Sequence, residues 1–113
     1  MTKCIDKKFK IPGHKIIALI PHRKSCFATD KITVEGLPVG YMYREQPNDN
    51  IDTGWRFFSG TESQEYVDDP DNTCIFATNT IANYDPTIIP YLDLPPGTEL
   101  EKKDGSTFSV IKD

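Results

Sequence analysis

Asp52-Thr53-Gly54 is the tripeptide that carries the carboxylate of aspartic proteases, and a half-sized dimeric protease is about as long as this chain of 113 residues. That chemistry needs two carboxylates sharing a proton in a buried site. Here the tripeptide follows the polar run Asn48-Asp49-Asn50 and precedes Trp55-Arg56, so a hairpin loop closing on Gly54 explains it better. A second group is acidic. Glu62, Glu65, Asp68, Asp69 and Asp71 stand within ten residues with no base among them. An EF-hand calcium loop alternates its acids and ends on a Glu at position twelve. This run does neither, and it reads as a solvated turn or as an acidic docking surface. A third group, Cys4, His14, His22 and Cys26, can be written down as a metal site. Its gaps of nine, seven and three residues match no common zinc knuckle. The two histidines come with no nucleophile elbow or phosphate loop. No catalytic residue, metal or cofactor is therefore expected.

Two arginines complete the inventory. Between Glu45 and Glu101, Arg56 is the only base among twelve acids, and an internal ion pair is its expected role. Arg44 and Arg56 both lie on the expected hairpin strands, and a role in recognition is the alternative. The aromatic residues Tyr41, Tyr43, Trp55, Phe57 and Phe58 could stack nucleic-acid bases. The neighbouring acids oppose that, and core packing is the expectation.

The elements that must hold these residues are short. Val39–Glu45 alternates, placing Val39, Tyr41 and Tyr43 on one face and Gly40, Met42 and Arg44 on the other. Trp55–Ser59 is its expected antiparallel partner across the turn-rich link QPNDNIDT. Further strands are expected over Lys15–Ile20, Ser25–Thr29, Thr73–Ala77, Thr98–Lys102 and Thr107–Ile111, the last two joined by a turn containing Asp104-Gly105. Short helices are expected over Glu62–Val67, over Asn79–Tyr84 with Thr78 or Asn79 as cap, and over Pro86–Leu92 with Asp85 as cap. Asp30 should cap a brief turn running to Gly36. The class is α+β: a single domain with a mostly antiparallel sheet of about six short strands and two or three short helices.

The totals set bounds. A chain of this length can bury a core without staples. Its longest aliphatic run, Ile16–Ile20, is far short of the roughly 20 residues that span a bilayer, so no membrane partner is expected. Three cysteines, widely spaced and without a CxxC pair, suggest idle or buried thiols in a reducing compartment, and the cytoplasm is the expected location. The net charge of −4 hides an asymmetry. Residues 1–34 carry eight bases and two acids, whereas residues 35–113 carry five bases and fifteen acids. An acidic half repels nucleic acid and attracts basic proteins.

The segments VGYMYRE, DTGWRFFSG, EYVDDPDN and NTIANYDPTIIPYLDLPPGTELE, in this order and spacing, resemble the bacterial immunity protein 33 family. The resemblance runs from about Cys26 to Glu101. The usual Asp-Ser-Gly-Trp is Asp52-Thr53-Gly54-Trp55 here. It divides the chain into a basic arm or first strand over 1–24, which it does not cover, and an immunity-protein-like domain over 25–113. It implies a non-catalytic protein that binds and neutralises a cognate toxin domain, a nuclease being one candidate class. On that reading the expected partner-binding residues are Asp49, Asp52, Trp55, Glu62, Glu65, Tyr66, Asp68, Asp69 and Asp71, with Tyr66 and an exposed Trp55 as anchors. The alternative is a small-molecule or peptide-binding module with no toxin partner.

Overall fold

The computed structural model describes residues 4, 7–21 and 24–111. Six strands are formed: β1 (Ser25–Thr29), β2 (Tyr41–Arg44), β3 (Asp52–Phe58), β4 (Thr73–Ala77), β5 (Glu99–Lys102) and β6 (Phe108–Val110). They make one mixed sheet in the order β4-β1-β3-β2-β5-β6. β1 and β3 run parallel, and the other neighbours are antiparallel. The helices are short: α1 (Asp30–Thr33), α2 (Gln64–Asp68), α3 (Thr78–Tyr84) and a 3-10 helix over Pro86–Tyr91. The expected α+β class holds.

Strand pleating sends alternate side chains to opposite faces, and here the two faces differ in kind. One carries Cys26, Ala28, Met42, Trp55, Phe57 and Leu100, all at most 1% exposed. Ile32 of α1, Ile81 and Ala82 of α3 and Ile88 of the 3-10 helix close over them into a single core. Burying a side chain such as Phe57 stabilises by roughly 1.5–3 kcal/mol. Inside this core Trp55 donates its indole N–H to Leu92 O at 3.0 Å. The other face carries Phe27, Tyr41, Tyr43, Arg56, Phe58 and Ile75, opposite in parity to the core set. Val39 departs from the alternation. It precedes β2, is fully buried, and donates its N–H to Asp85 Oδ2.

Lys15–Ile20 is not a strand. A 3-10 turn over Gly13–Lys15 leads into extended backbone. Its donors find side chains rather than a ladder: Ile17 N–H bonds Asn83 Oδ1, and the Leu19 and Ile20 N–H groups bond Asn79 Oδ1. Asn79 is thus spent on the arm, and α3 is capped at Ala77 without a side-chain bond. Asp30 likewise pairs with Lys7 at 2.8 Å instead of capping, and Thr29 takes the cap position of α1. Asp85 does cap the 3-10 helix, accepting from Thr87 N.

The expectation of three idle thiols needs correction. Cys4 and Cys74 form a disulfide that fastens the arm to β4, and Cys26 alone is free. The arm is also held by Lys10 N–H to Thr33 O, by Ile11 N–H to the Tyr84 hydroxyl, and by Phe9 packed edge-on against Phe76. Closing a loop 70 residues apart contributes up to ~4 kcal/mol on chain-entropy grounds. Reduction should therefore lower the melting temperature in scanning calorimetry, and a Cys74→Ser variant should match the reduced protein. An unchanged melting temperature would show that the non-covalent contacts alone hold the arm.

Candidate functional site

Arg56 lies in the middle of β3 and is only 3% exposed. Its Nη1 and Nη2 donate to Asp52 Oδ1 and Oδ2, both at 2.9 Å, and its Nε donates to Glu45 Oε2 at 2.6 Å. The guanidinium lies 4.2 Å from the centre of the Phe27 ring. Paired, forked contacts of this kind are among the strongest that proteins make. Asp52 also accepts the N–H groups of Asn48 and Gly54. The Arg56 guanidinium, followed by these backbone donors, outweighs burial and holds the Asp52 carboxyl well below its ordinary range. Both Asp52 oxygens are taken by Arg56 and backbone donors instead of facing a second carboxylate, which is not the paired arrangement that the protease reading of Asp52-Thr53-Gly54 needs. Gly54 (φ +89°) is the tripeptide's structural requirement, because a Cβ there would meet Glu45 O at 2.1 Å.

The expected partner-binding residues separate into two sets. Asp52 and Trp55 belong to the interior, at 8% and 1% exposure; Trp55 does not meet the condition of being exposed. Glu62 is half-buried. Its Oε2 accepts from Thr29 Oγ1 and Ser59 N, and its Oε1 from Gly60 N. Burial raises its pKa, but these bonds outweigh burial and lower it. Glu62 therefore fixes the turn after β3. Asp49 is exposed and orders its own loop through Ile51 N and Asp52 N.

Glu65, Asp68, Asp69 and Asp71 lie exposed on α2 and the 3-10 turn after it, Pro70–Asn72. Lys7 Nζ donates to the Asp71 carbonyl oxygen, but among the described residues none of the four carboxylates is paired with a cationic side chain. Ser63 starts α2 by accepting from Tyr66 N, and Asp69 starts the turn by accepting from Asp71 N. Tyr66 is half-buried beneath Lys31, whose ammonium lies 5.1 Å from its ring centre. Burial and the nearby Asp30, Glu35 and Glu62 push its hydroxyl up to about 12.

The sequence reading placed the aromatic residues in the core and so missed a second feature. Tyr41, Tyr43 and Phe58 are half-buried on the face opposite the core, with ring centres 5.6 to 6.0 Å apart. They border two open troughs, of about 500 and 450 Å³. Strand parity was the available signal, since Tyr41 and Tyr43 alternate with the buried Met42. Cys26, the free thiol, has no such access: burial pushes it up to about 12. Of the remaining metal candidates, Cys4 is disulfide-bonded and His14 is exposed on the arm, while His22 lies outside the described residues. No group of three or more His, Cys, Asp or Glu among the described residues could hold a metal ion.

Residues 26–112 match the family model described as the Immunity protein Imm33 domain. No curated protein and no solved structure matches the chain.

The Arg56 cluster yields a prediction. Arg56→Met leaves Asp52 buried without its cation and should cost ~3–5 kcal/mol in urea unfolding. The pH dependence follows from the depressed native pKa of Asp52. Its contribution is complete above the unfolded value of about 4 and is lost as pH falls through the native value. Asp52→Asn should accordingly be less stable than the parent at neutral pH and show a shallower loss of stability below about pH 4. Parallel acid limbs for the two proteins would contradict the assignment.

Proposed function

The chain belongs to the Imm33 immunity protein family, and from that premise we propose that it binds a cognate bacterial toxin domain and neutralises it without catalysis. The observation that carries the mechanism is the exposed set Glu65, Asp68, Asp69 and Asp71 on one short helix and turn, whose carboxylates have no cationic side-chain partner among the described residues, although Lys7 Nζ reaches the Asp71 carbonyl oxygen. Unpaired charge of one sign on a rigid element steers an oppositely charged partner. A toxin with a basic active cleft, as a nuclease has, is the target such a surface suits. The carboxylates would stand where the substrate's phosphates stand, and Tyr66 beside them would supply an anchor. Asp49 flanks a separate loop and is a rim contact on this reading.

The compartment that goes with this role is the cytoplasm. There the Cys4–Cys74 pair would be held as thiols, and the hydrogen bonds of Asn79, Asn83 and Tyr84 would keep the arm in place.

The direct test is growth of bacteria expressing the toxin domain encoded beside this chain's gene. Co-expression of the chain should restore growth, whereas a gene standing alone or a failure to protect would remove the toxin reading. For the mechanism, Glu65→Gln, Asp68→Asn and Asp69→Asn together should slow association by about tenfold at low salt and flatten its salt dependence. Glu62 is left intact because it fixes the turn after β3. Unchanged association kinetics would take the acidic run out of the interface.

A further inference from the structure

The face of the sheet opposite the core, bordered by α2, has its own recognition chemistry, visible in how it holds Arg56. There a guanidinium lies against an aromatic ring, Phe27, between the carboxylates of Asp52 and Glu45. The same combination recurs one strand over without a cation. Tyr43 pairs with Arg56 across β2 and β3, and its ring stacks on Phe58 at 15°. Glu99 and Glu101 stand opposite Tyr43 and Tyr41 on β5. The Tyr41 hydroxyl donates to Glu99 Oε2. Among the described residues no cation stands over Tyr41, Tyr43 or Phe58.

The neighbouring bases are engaged. Arg56 is shared between Asp52 and Glu45, and Lys102 reaches Asp85 at 2.7 Å. Lys103 pairs with Glu101, both side chains being about half exposed. Arg44 lines the first trough, but its guanidinium is engaged, donating to Leu94 O and Thr53 O. Two adjoining troughs share Tyr41 and Tyr43 as an aromatic floor: one of about 500 Å³ has Glu45 and Glu99 at its margin, and one of about 450 Å³ has Phe58, Glu62 and Glu101. Val67 of α2 forms part of the second trough's wall, which joins the pair of troughs to the helix that bears the acidic run.

We propose that the trough lined by Tyr41, Tyr43 and Glu99 is the anchoring pocket of the interface and that it takes an arginine or lysine side chain of a protein partner, laid on the Tyr43 ring and bonded to Glu99. An exposed charge mainly sets the rate of encounter, while buried aromatic pockets hold the complex together. The trough supplies the second property and the acidic run the first. The inference rests on the toxin-binding reading for the identity of the partner.

The test uses a defined probe rather than the toxin. The capped peptide Gly-Arg-Gly is titrated into the full chain and followed by two-dimensional NMR of backbone amides and aromatic side chains, with Gly-norleucine-Gly as the uncharged control. Shifts at Tyr41, Tyr43, Phe58 and Glu99, absent with the control, support the proposal. Tyr43→Leu and Glu99→Gln should each weaken the arginine peptide by about two- to fivefold, the size of one exposed cation–π contact. Glu99→Gln, on a strand surface, keeps the test valid if the Tyr43 variant fails to fold. Shifts confined to Glu65–Asp71, equal shifts with norleucine, or none at all would overturn it. A positive titration with no protection in the growth test would keep the cation pocket and reject the toxin partner.

Discussion

A positive charge built into the middle of a strand constrains everything near it. Leaving the Arg56 guanidinium unpaired would cost several kcal/mol, so the chain must bring two carboxylates to it. One, Asp52, opens β3; the other, Glu45, follows β2. Satisfying both fixes where the β2–β3 loop closes, and the N–H groups of Asn48 and Gly54 on Asp52 complete the closure. Gly54 follows as a requirement, since only a residue without Cβ fits against Glu45 O. Two motifs that suggested chemistry in the sequence, a protease tripeptide and a lone arginine among acids, are parts of one structural device.

That device also divides the sheet. On the face opposite Arg56, Trp55 and Phe57 accept the helices and make the core. On the Arg56 side α1, α3 and the 86–91 helix are absent, and only α2 borders it, through Val67. Tyr41, Tyr43 and Phe58 are left with one side packed and the other open. A half-buried aromatic cluster of this kind suits a partner surface, because it carries large contact area with few freely rotating bonds. α2 then sets unpaired acids beside it, with Glu62 and Ser63 fixing the turn and the helix start. On the toxin-binding proposal, this arrangement pairs long-range attraction with a short-range anchor.

Much of the fold was legible because it is local. The alternation of Tyr41, Met42 and Tyr43, the Asp104-Gly105 turn and the Asp85-Pro86 helix start each follow from near neighbours. What was not legible depends on distant ones. Lys15–Ile20 has the composition of a strand, yet its backbone is satisfied by Asn79 and Asn83, some sixty residues away. Cys4 finds Cys74 across a similar distance. The site shows the same division. The acidic run could be read directly as a charge imbalance, and four of its members are exposed, their carboxylates without a cationic side-chain partner among the described residues. Glu62 looks like them in sequence but differs because Thr29 reaches it from β1. Trp55 looked like an anchor, and only the placement of α3 and Leu92 over that face assigns it to the core. Conversely, the openness of the Tyr43 face follows from which face the helices chose, and parity alone cannot decide that.

The central claim is that the Tyr43 face, with α2 at its margin, is where the partner docks. Hydroxyl-radical footprinting of the chain with and without the toxin domain encoded beside its gene addresses this directly, because tyrosine and phenylalanine side chains are the reactive groups. The account predicts that complex formation protects Tyr41, Tyr43, Phe58 and Tyr66 while Phe9, on the arm, keeps its free-state reactivity. Protection centred on Phe9 and the arm, with Tyr43 and Phe58 unchanged, would contradict it.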